Sequence, residues 1–355
     1  MIPRTDQAAV GRRILDAFLA AGAVEVAPDI LLPADTLLDL YGEDIRARAY
    51  LTTDPVRGEV VLRPDFTVPV VQMHMAGGAE PARYCYLGEV FRKQDHGDTR
   101  PRHPRDNEYL QAGFELFSRD PDADAEVFAL FHGILAPFRL SATMGDMDLL
   151  LDAVAGLPLS PSRCAMLAHH VWRPQRFERL LDRFSTVQQP RHFAGNSAPW
   201  TGLRGQDEMQ ARIARLEAAA EGPPLGPEWR ERLHRLFSVA GPADAALDEL
   251  RVLSDHIPAI AQAVDRLAVR LEAIAGRGID PETIRFDASH GRRTMEYYDG
   301  MTFSFTAPAR PDWPPVASGG RYDALTRVLG QGQAIPAVGG IIRPGLVAEL
   351  ERASC

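Results

Sequence analysis

"EYLQAGFELFS", residues 108–118, alternates apolar and polar side chains in the way that a half-buried β-strand does. One face of this strand carries the apolar side chains of Leu110, Ala112, Phe114 and Leu116. We expect a helix layer to cover that face. The opposite face offers the Gln111 amide, the bare backbone of Gly113 and the Glu115 carboxylate. Since an antiparallel sheet with one solvated face gives the same alternation, this strand alone favours solvent over a site on its polar face.

The rest of the chain predicts an α+β fold around this strand. The β-rich runs "GEVVLRP" and "ARYCYLGEVFR" precede it, and others follow from "TIRFDASHG" onward. Between them, residues 151–280 are rich in Ala, Leu, Arg and Glu, with a helical apolar stripe at Ile260, Val264, Leu267, Leu271 and Ile274. We therefore expect a mainly antiparallel sheet flanked by helices, with core parts at 1–150 and 281–355 and a mainly helical insertion at 151–280. Asp299-Gly300, between two β-rich runs, predicts a hairpin.

Composition limits the classes of function. The 355 residues are 45% hydrophobic and 25% charged, as in an ordinary globular protein. A net charge of −9 makes a nucleic acid a poor candidate for the main partner. Lys93 is the single lysine, which nearly excludes a lysine-bearing phosphate loop and a Schiff-base lysine. The three isolated cysteines, a start unlike a signal peptide, and the lack of an HExxH spacing or a long apolar run predict a cytoplasmic protein without a metal site or membrane span.

Several other segments end an apolar strand with polar side chains. Arg92 closes "YLGEVFR", and Asp65 and Thr67 follow "VVLRP". A later group consists of Arg293, Tyr297, Tyr298 and Arg321. Carboxylates suit an amine, arginine suits a carboxylate, and tyrosine and glutamine suit a polar side chain. Together these segments predict a pocket for a small zwitterion.

In their order along the chain, these segments resemble the class II aminoacyl-tRNA synthetases, most closely the histidyl-tRNA synthetase family. Pro28 after "AVEVA" resembles the proline of the first, dimer-forming motif, and "GEVFR" through "YLQAGFE" resembles the second motif. "LRPDFT" is similar to the family's "LRPEGT", and "RRTMEYYDG" is similar to its histidine-specific "RGLDYY". "SGGRYDAL" and "PAVGG" are similar to the approach to the third motif. The resemblance spans nearly the whole chain and implies the class II synthetase fold.

Carried over residue by residue, the resemblance implies a histidine-binding site. Its members would be Asp65, Thr67, Arg92, Gln111, Glu115, Arg293, Tyr297 and Tyr298. Glu115 and Asp65 would face the histidine amine, with Thr67 beside them. Gln111 and Tyr298 would contact the imidazole.

The remaining three residues would act around that core. Tyr297 would support the imidazole contact, and Arg293 would approach the histidine carboxylate. Arg92 matches the second-motif arginine, which holds the ATP α-phosphate in the synthetases. Asp65 stands where the family has glutamate and therefore reaches one methylene less far.

The chain departs from the family in three respects, and the first two argue against adenylate chemistry. In the synthetases the "PAVGG" run leads to an arginine that clamps the ATP γ-phosphate, and the corresponding position here is Leu346. Arg343 precedes the Pro-Gly break, so we do not expect it to present its charge from the same corner. Gln94 replaces a second-motif glutamate, in a loop that is longer than usual. The anticodon-binding domain is expected to be absent.

A retained histidine pocket without the ATP clamp is similar to a known paralogous family, the regulatory subunits of ATP phosphoribosyltransferase. This resemblance implies a chain with no catalysis and no cofactor of its own. It implies assembly as a dimer and with the short catalytic subunit in a hetero-octamer, and feedback by L-histidine in the first step of histidine biosynthesis. We expect the second-motif loop, from Lys93 to Arg105, to carry the signal.

Two other functions remain open at this point. A truncated synthetase-like ligase would still form an aminoacyl-adenylate for an acceptor other than tRNA, using Arg92 and Arg321. A purely structural protein would keep the pocket only as a relict.

Overall fold

The computed structural model describes residues 2–35, 49–93, 107–187, 205–220, 222–292 and 298–354. Its strands are β1 (Val24–Glu25), β2 (Leu31–Pro33), β3 (Leu51–Asp54), β4 (Gly58–Leu62), β5 (Ala82–Phe91), β6 (Glu108–Phe117), β7 (Ser141–Asp146), β8 (Ala240–Pro242), β9 (Arg285–Asp287), β10 (Met301–Thr306), β11 (Ala317–Arg321) and β12 (Ala337–Ile342). Its helices are α1 (Arg4–Ala20), α2 (Thr67–Met75), α3 (Ala123–Leu135), α4 (Met147–Ala155), α5 (Pro161–His169), α6 (Pro174–Phe184), α7 (Gln206–Ala220), α8 (Pro227–Ser238), α9 (Ala243–Ser254), α10 (Ala261–Gly276), α11 (Asp323–Leu329) and α12 (Pro344–Ser354).

The strands form two sheets. The larger has nine strands in the order β1-β5-β6-β12-β11-β10-β7-β9-β8, and the smaller has three in the order β2-β4-β3. In the larger sheet β1 runs parallel to β5 and β7 runs parallel to β9, while the other neighbouring pairs are antiparallel. The predicted α+β architecture with a mainly antiparallel sheet is therefore confirmed.

One face of β6 packs on the main hydrophobic core, as its sequence pattern predicts. Phe114 lies in that core, and the ring of Phe18 from α1 lies 5.5 Å from both the Phe114 ring and the Phe131 ring of α3. The buried area on this face supplies much of the free energy that holds α1 and α3 against the sheet.

The opposite face of β6 is buried as well, whereas the alternation of this strand taken alone favours a solvated face. Gln111 is 2% exposed and Glu115 is 0% exposed. A second hydrophobic cluster covers this face, and it includes residues of α2, β5 and α11. The alternation along β6 separates two buried environments, one apolar and one polar.

Helices α4 to α10 and the short strand β8 follow β7 in the chain, and we refer to α4–α10 as the helical segment. The predicted apolar stripe on α10 is buried in the same hydrophobic core that covers β6. Helix starts in this segment follow local signals: Asp146 Oδ1 accepts from Asp148 N at 2.9 Å before α4, and Ser160 precedes Pro161 at the start of α5. The division of the chain into core parts and an insertion stays a prediction.

The predicted hairpin at Asp299-Gly300 involves residues 293–297, which lie outside the described residues. The second run forms β10, which pairs with β11 and β7. Asp299 has a different role: its two carboxylate oxygens accept from Asp323 N at 2.8 Å and Ala324 N at 2.7 Å, which caps the start of α11. Within the described ranges, none of the helices is both long enough and apolar enough to span a bilayer.

Candidate functional site on the polar face of the large sheet

The register of the large sheet builds the floor of the candidate site. Glu115 lies opposite Gly339 of β12, and Gly339 lies opposite Gly320 of β11. Directly paired residues share a face, so the Glu115 carboxylate projects over a floor of bare backbone. A Cβ atom at Gly339 would overlap Glu115 Oε2, and one at Gly113 would overlap the ring of Tyr86. These glycines leave the space that the two larger side chains occupy.

Glu115 is the centre of a buried hydrogen-bond cluster. Its Oε1 accepts from Thr67 Oγ1 and from the Tyr86 hydroxyl, both at 3.0 Å, and its Oε2 accepts from the Tyr322 hydroxyl at 2.6 Å. Burial raises the pKa of Glu115 to about 7. The hydrogen bonds from the three hydroxyl groups lower this pKa, and the nearby charge of Asp65 raises it further. Glu115 is thus a carboxyl group whose charge is costly unless a cation or further donors reach it.

The start of α2 brings two more predicted residues to this cluster. Asp65 is 5% exposed, and its Oδ1 accepts from Val68 N at 3.2 Å, so the carboxylate stabilises the first turn of α2. Thr67, two residues later, points its hydroxyl at Glu115. The helix start therefore fixes both side chains beside Glu115.

Gln111 lies at the other end of the same strand face. Its Nε2 donates to the Tyr109 hydroxyl at 3.3 Å, whereas its buried Oε1 has no hydrogen-bond partner among the residues that the structure describes. Arg92 lies near Tyr109 and donates from Nε to Pro64 O at 2.7 Å. A buried amide oxygen without a partner is suited to accept a ligand N–H group.

Arg343 lies on this face too, which corrects the expectation that it does not present its charge from this corner. The register pairs Ile342 with Ala112, so the next residue, Arg343, is level with Gln111. Its guanidinium lies 5.9 Å from the centre of the Tyr109 ring and donates to Pro315 O. Burial raises the pKa of Tyr109, but the charges of Arg92 and Arg343 outweigh it and hold the pKa below its usual value. The strand-to-helix corner of β12 and α12 is present, and Leu346 in its first helical turn packs against the main core.

Tyr298 lies on the same face as Glu115, and two further tyrosines on this face were missed. Tyr298 is 8% exposed, and a Cβ atom at Gly320 would come within 2.8 Å of its ring. Tyr86 and Tyr322, which donate to Glu115, were not among the predicted residues. Tyr86 lies two residues before Gly88, which pairs with Gln111, and this spacing was a signal that it shares the polar face. Tyr322 lies in the "SGGRYD" stretch, from which only the backbone and Arg321 were considered as parts of the pocket.

Stacked side chains connect the first-motif region to the site. The Phe66 ring stacks on the Tyr86 ring at 4.2 Å, and the Arg63 guanidinium lies 3.9 Å above Phe66 on its other side. Arg63 donates to Pro28 O at 2.6 Å and to Glu89 O at 2.8 Å. This stack fixes the position of the Tyr86 hydroxyl against Glu115.

The structure thus brings together Asp65, Thr67, Gln111, Glu115 and Tyr298 on one face, with Arg92 at its Gln111 end. Arg293, Tyr297 and the second-motif loop from Gln94 to Arg105 lie outside the described residues. Within the described ranges, no three His, Cys, Asp or Glu side chains come together as a candidate metal site.

Comparisons with known proteins agree on one family. The family model for histidyl-tRNA synthetase matches residues 4–183 and 207–344. An ATP phosphoribosyltransferase regulatory subunit from Mesorhizobium japonicum is 33% identical over 350 residues, covering 89% of this chain and 90% of that protein. A protein of the same name from Rhizobium etli is 31% identical, covering 92% of this chain and 93% of that one.

Solved structures show the same fold at lower identity. A protein from Bacillus halodurans described as an ATP phosphoribosyltransferase regulatory subunit/histidyl-tRNA synthetase matches with a TM-score of 0.71 and 20% identity, covering 98% of this chain and 80% of that one. Histidyl-tRNA synthetase from Nostoc sp. PCC 7120 matches with a TM-score of 0.66 and 17% identity, covering 98% and 72% of the two chains. The class II synthetase-like fold, the family match and the curated relatives together establish that the chain belongs to the ATP phosphoribosyltransferase regulatory subunits, a family related to histidyl-tRNA synthetase.

Proposed function

We propose that the polar face around Glu115 binds L-histidine and that the chain, without chemistry of its own, activates a short ATP phosphoribosyltransferase catalytic subunit and makes it sensitive to histidine. The observation that carries the proposal is the enclosed Glu115 carboxylate with its three hydroxyl donors, on the same strand face as the Gln111 oxygen, for which the described part of the chain offers no hydrogen-bond partner. The names of the relatives support the regulatory role and the partner.

The depth of Glu115 favours exchanging the roles that the resemblance implies for Glu115 and Gln111. Glu115 is 0% exposed and lies among Tyr86, Tyr298 and Tyr322, which suits a flat ring with N–H donors better than a tetrahedral amine. We therefore assign the imidazole to Glu115 and the amine to the Gln111 oxygen. Arg92 and Arg293 then bind the carboxylate of the histidine ligand, and Asp65, Thr67 and Tyr297 form the pocket walls.

The position of Leu346 supports a role without catalysis. An apolar side chain in the first turn of α12, packed on the core, supplies no charge to a nucleotide γ-phosphate. The arrangement of Arg92 and Arg343 around Tyr109 favours a second candidate, a ligase that still binds phosphate. Amino-acid-dependent exchange between ATP and pyrophosphate separates the two functions, since only the ligase catalyses it.

We further propose a cytoplasmic location and assembly as a dimer, through the region around Pro28, and with catalytic chains in a hetero-octamer. In this assembly histidine acts by binding one quaternary arrangement more tightly than the other. The loop from Lys93 to Arg105 adjoins Arg92 and would carry the change to the interface. Deleting the middle of this loop would then abolish feedback and leave histidine binding intact.

The experiment that tests the function is reconstitution with a short catalytic subunit from the same organism. Phosphoribosyltransferase activity is measured for the catalytic subunit alone, with this protein, and with this protein plus histidine. We expect activity to rise on mixing and to fall with histidine. Glu115→Gln should activate but lose inhibition, while the exposed control Glu231→Gln should behave like the wild type. The absence of activation would refute the partner, and inhibition that persists in Glu115→Gln would refute the site.

A further inference from the structure

A buried chain of ion pairs connects the helical segment to the strand that ends at the site. Arg270 of α10 donates from Nη1 to Asp146 Oδ2 at 2.6 Å and from Nε to Asp124 Oδ2 at 2.8 Å. The other oxygen of Asp124 accepts from Arg321 Nε at 2.9 Å, and Arg321 Nη1 contacts Asp323 Oδ1 at 3.2 Å. The side chains of Asp146, Asp124 and Arg270 are all 6% exposed or less.

The far end of this chain orients a residue of the site. Arg321, Tyr322 and Asp323 are consecutive, and the first and third enter the ion-pair chain while the Tyr322 hydroxyl donates to Glu115. Asp323 Oδ1 also accepts from Ala337 N at 2.9 Å, and the N–H of Asp323 donates to Asp299. The direction of Tyr322 is thus set by groups on both of its neighbours.

Burial makes this connection stiff. Arg270 balances two carboxylates that have almost no access to water, so moving Arg270 would remove the charged partner of Asp146 and leave Asp124 with Arg321 alone. The three carboxylates of this ion-pair chain lie on three different elements. Asp124 is on α3, Asp146 is at the end of β7, and Asp323 is on α11. A shift of α10 cannot occur without changing the contacts of Arg321.

We propose that Arg270 is a positioning residue for the ligand site: through Asp124 and Arg321 it fixes the Tyr322 hydroxyl against Glu115, so that the helical segment and the site are energetically coupled. By linkage, a partner that binds and shifts the helical segment changes the affinity of the site, and a ligand in the site changes the affinity for that partner by the same factor. The position of the Tyr322 hydroxyl follows from the contacts alone, whereas its effect on ligand affinity rests on the proposed function.

The first arm of the test needs no ligand. Hydrogen exchange, resolved by mass spectrometry over the peptides that contain Asp323, Ala324 and Ala337, is compared in the wild type and Arg270→Met. We expect exchange at these amides to be about fivefold faster or more in the variant.

The double variant Arg270→Met/Asp146→Asn, which reduces the uncompensated charge, covers the case in which the single variant does not fold. Arg266→Met is the matched control, because Arg266 lies on the same helix and pairs with Asp148 at 3.0 Å and Asp152 at 3.5 Å. Exchange that is unchanged in the Arg270 variants, or equally raised in the control, would overturn the proposal.

The second arm measures histidine affinity by calorimetry in a double-mutant cycle. Arg270→Met should raise Kd about fivefold or more in the wild type but have no effect in a Tyr322→Phe background, since the two residues act in series. Equal effects in both backgrounds would mean that Arg270 does not act through Tyr322. If the wild type binds no histidine, the proposed function fails, while the exchange arm still decides the role of Arg270.

Discussion

Replacing Glu115 by glutamine should change how the stability of the protein depends on pH. In the folded protein the pKa of Glu115 is about 7, against an ordinary value of 4.5. Because the folded-state pKa lies above the unfolded-state value, the folded protein binds more protons than the unfolded chain between these two values. The free energy of unfolding therefore falls as pH rises through this window, and above it the loss is complete.

The magnitude follows from the two pKa values. The difference between them corresponds to a loss of about 3 kcal/mol in the free energy of unfolding over the whole pH window. About 2.5 kcal/mol of this loss falls between pH 5 and pH 8. Glutamine has nearly the same shape, still accepts from Thr67 and Tyr86, and has no charge to bury. The variant should therefore gain about 2.5 kcal/mol relative to the wild type when the pH is raised from 5 to 8.

Urea unfolding at four pH values between 5 and 8 measures this difference. The comparison between variant and wild type cancels the titration of the other buried carboxyls, among them Asp299, whose pKa burial raises to about 6. Equal denaturant slopes show that the unfolded states are comparable. Parallel stability curves for the wild type and Glu115→Gln would refute the reasoning, and so would a similar divergence for the exposed control Glu231→Gln.

Three further predictions follow from the same cluster. An imidazole has an ordinary pKa of about 6.5, and Glu115 has a pKa of about 7, so an imidazole bound at Glu115 shares one proton with it. Histidine affinity, measured by calorimetry, should therefore peak between these two pH values. It should fall up to tenfold per pH unit on either side. An amine facing Glu115 would instead bind more tightly as pH rises past 7. Gly339→Ala should lower the free energy of unfolding by about 1–3 kcal/mol and weaken histidine binding, because the new methyl group overlaps Glu115 Oε2, whereas Gly276→Ala, where a Cβ meets no atom within 4 Å, should leave binding unchanged. With Leu346 at the clamp position, the wild type should give only background ATP–pyrophosphate exchange with all the amino acids, and histidine-dependent exchange would contradict the non-catalytic role.

The sequence alone predicted the mainly antiparallel sheet and the shared face of Gln111 and Glu115, because strand alternation is a local property. It could not predict that this face is buried, because the cover comes from α2 and α11, far from β6 in the chain. Arg343 was misplaced for a related reason: its neighbourhood depends on the register between β12 and β6, which no local pattern specifies. Tyr322 was missed because the hydrogen bond to Glu115 joins residues 207 positions apart.

Glu115 also bears on whether the pocket is a relict. With a pKa of about 7, Glu115 is partly ionised at neutral pH. Its charge inside a tyrosine-lined cluster lowers stability, and glutamine in the same space should relieve that cost. If the pocket has no ligand, Glu115→Gln should raise stability without altering any response to histidine. If the pocket binds histidine, the gain in stability should be accompanied by a loss of affinity, because the cationic imidazole offsets the charge in the wild type and meets a neutral amide in the variant. Measuring both quantities on the same protein separates a relict from a working regulatory site.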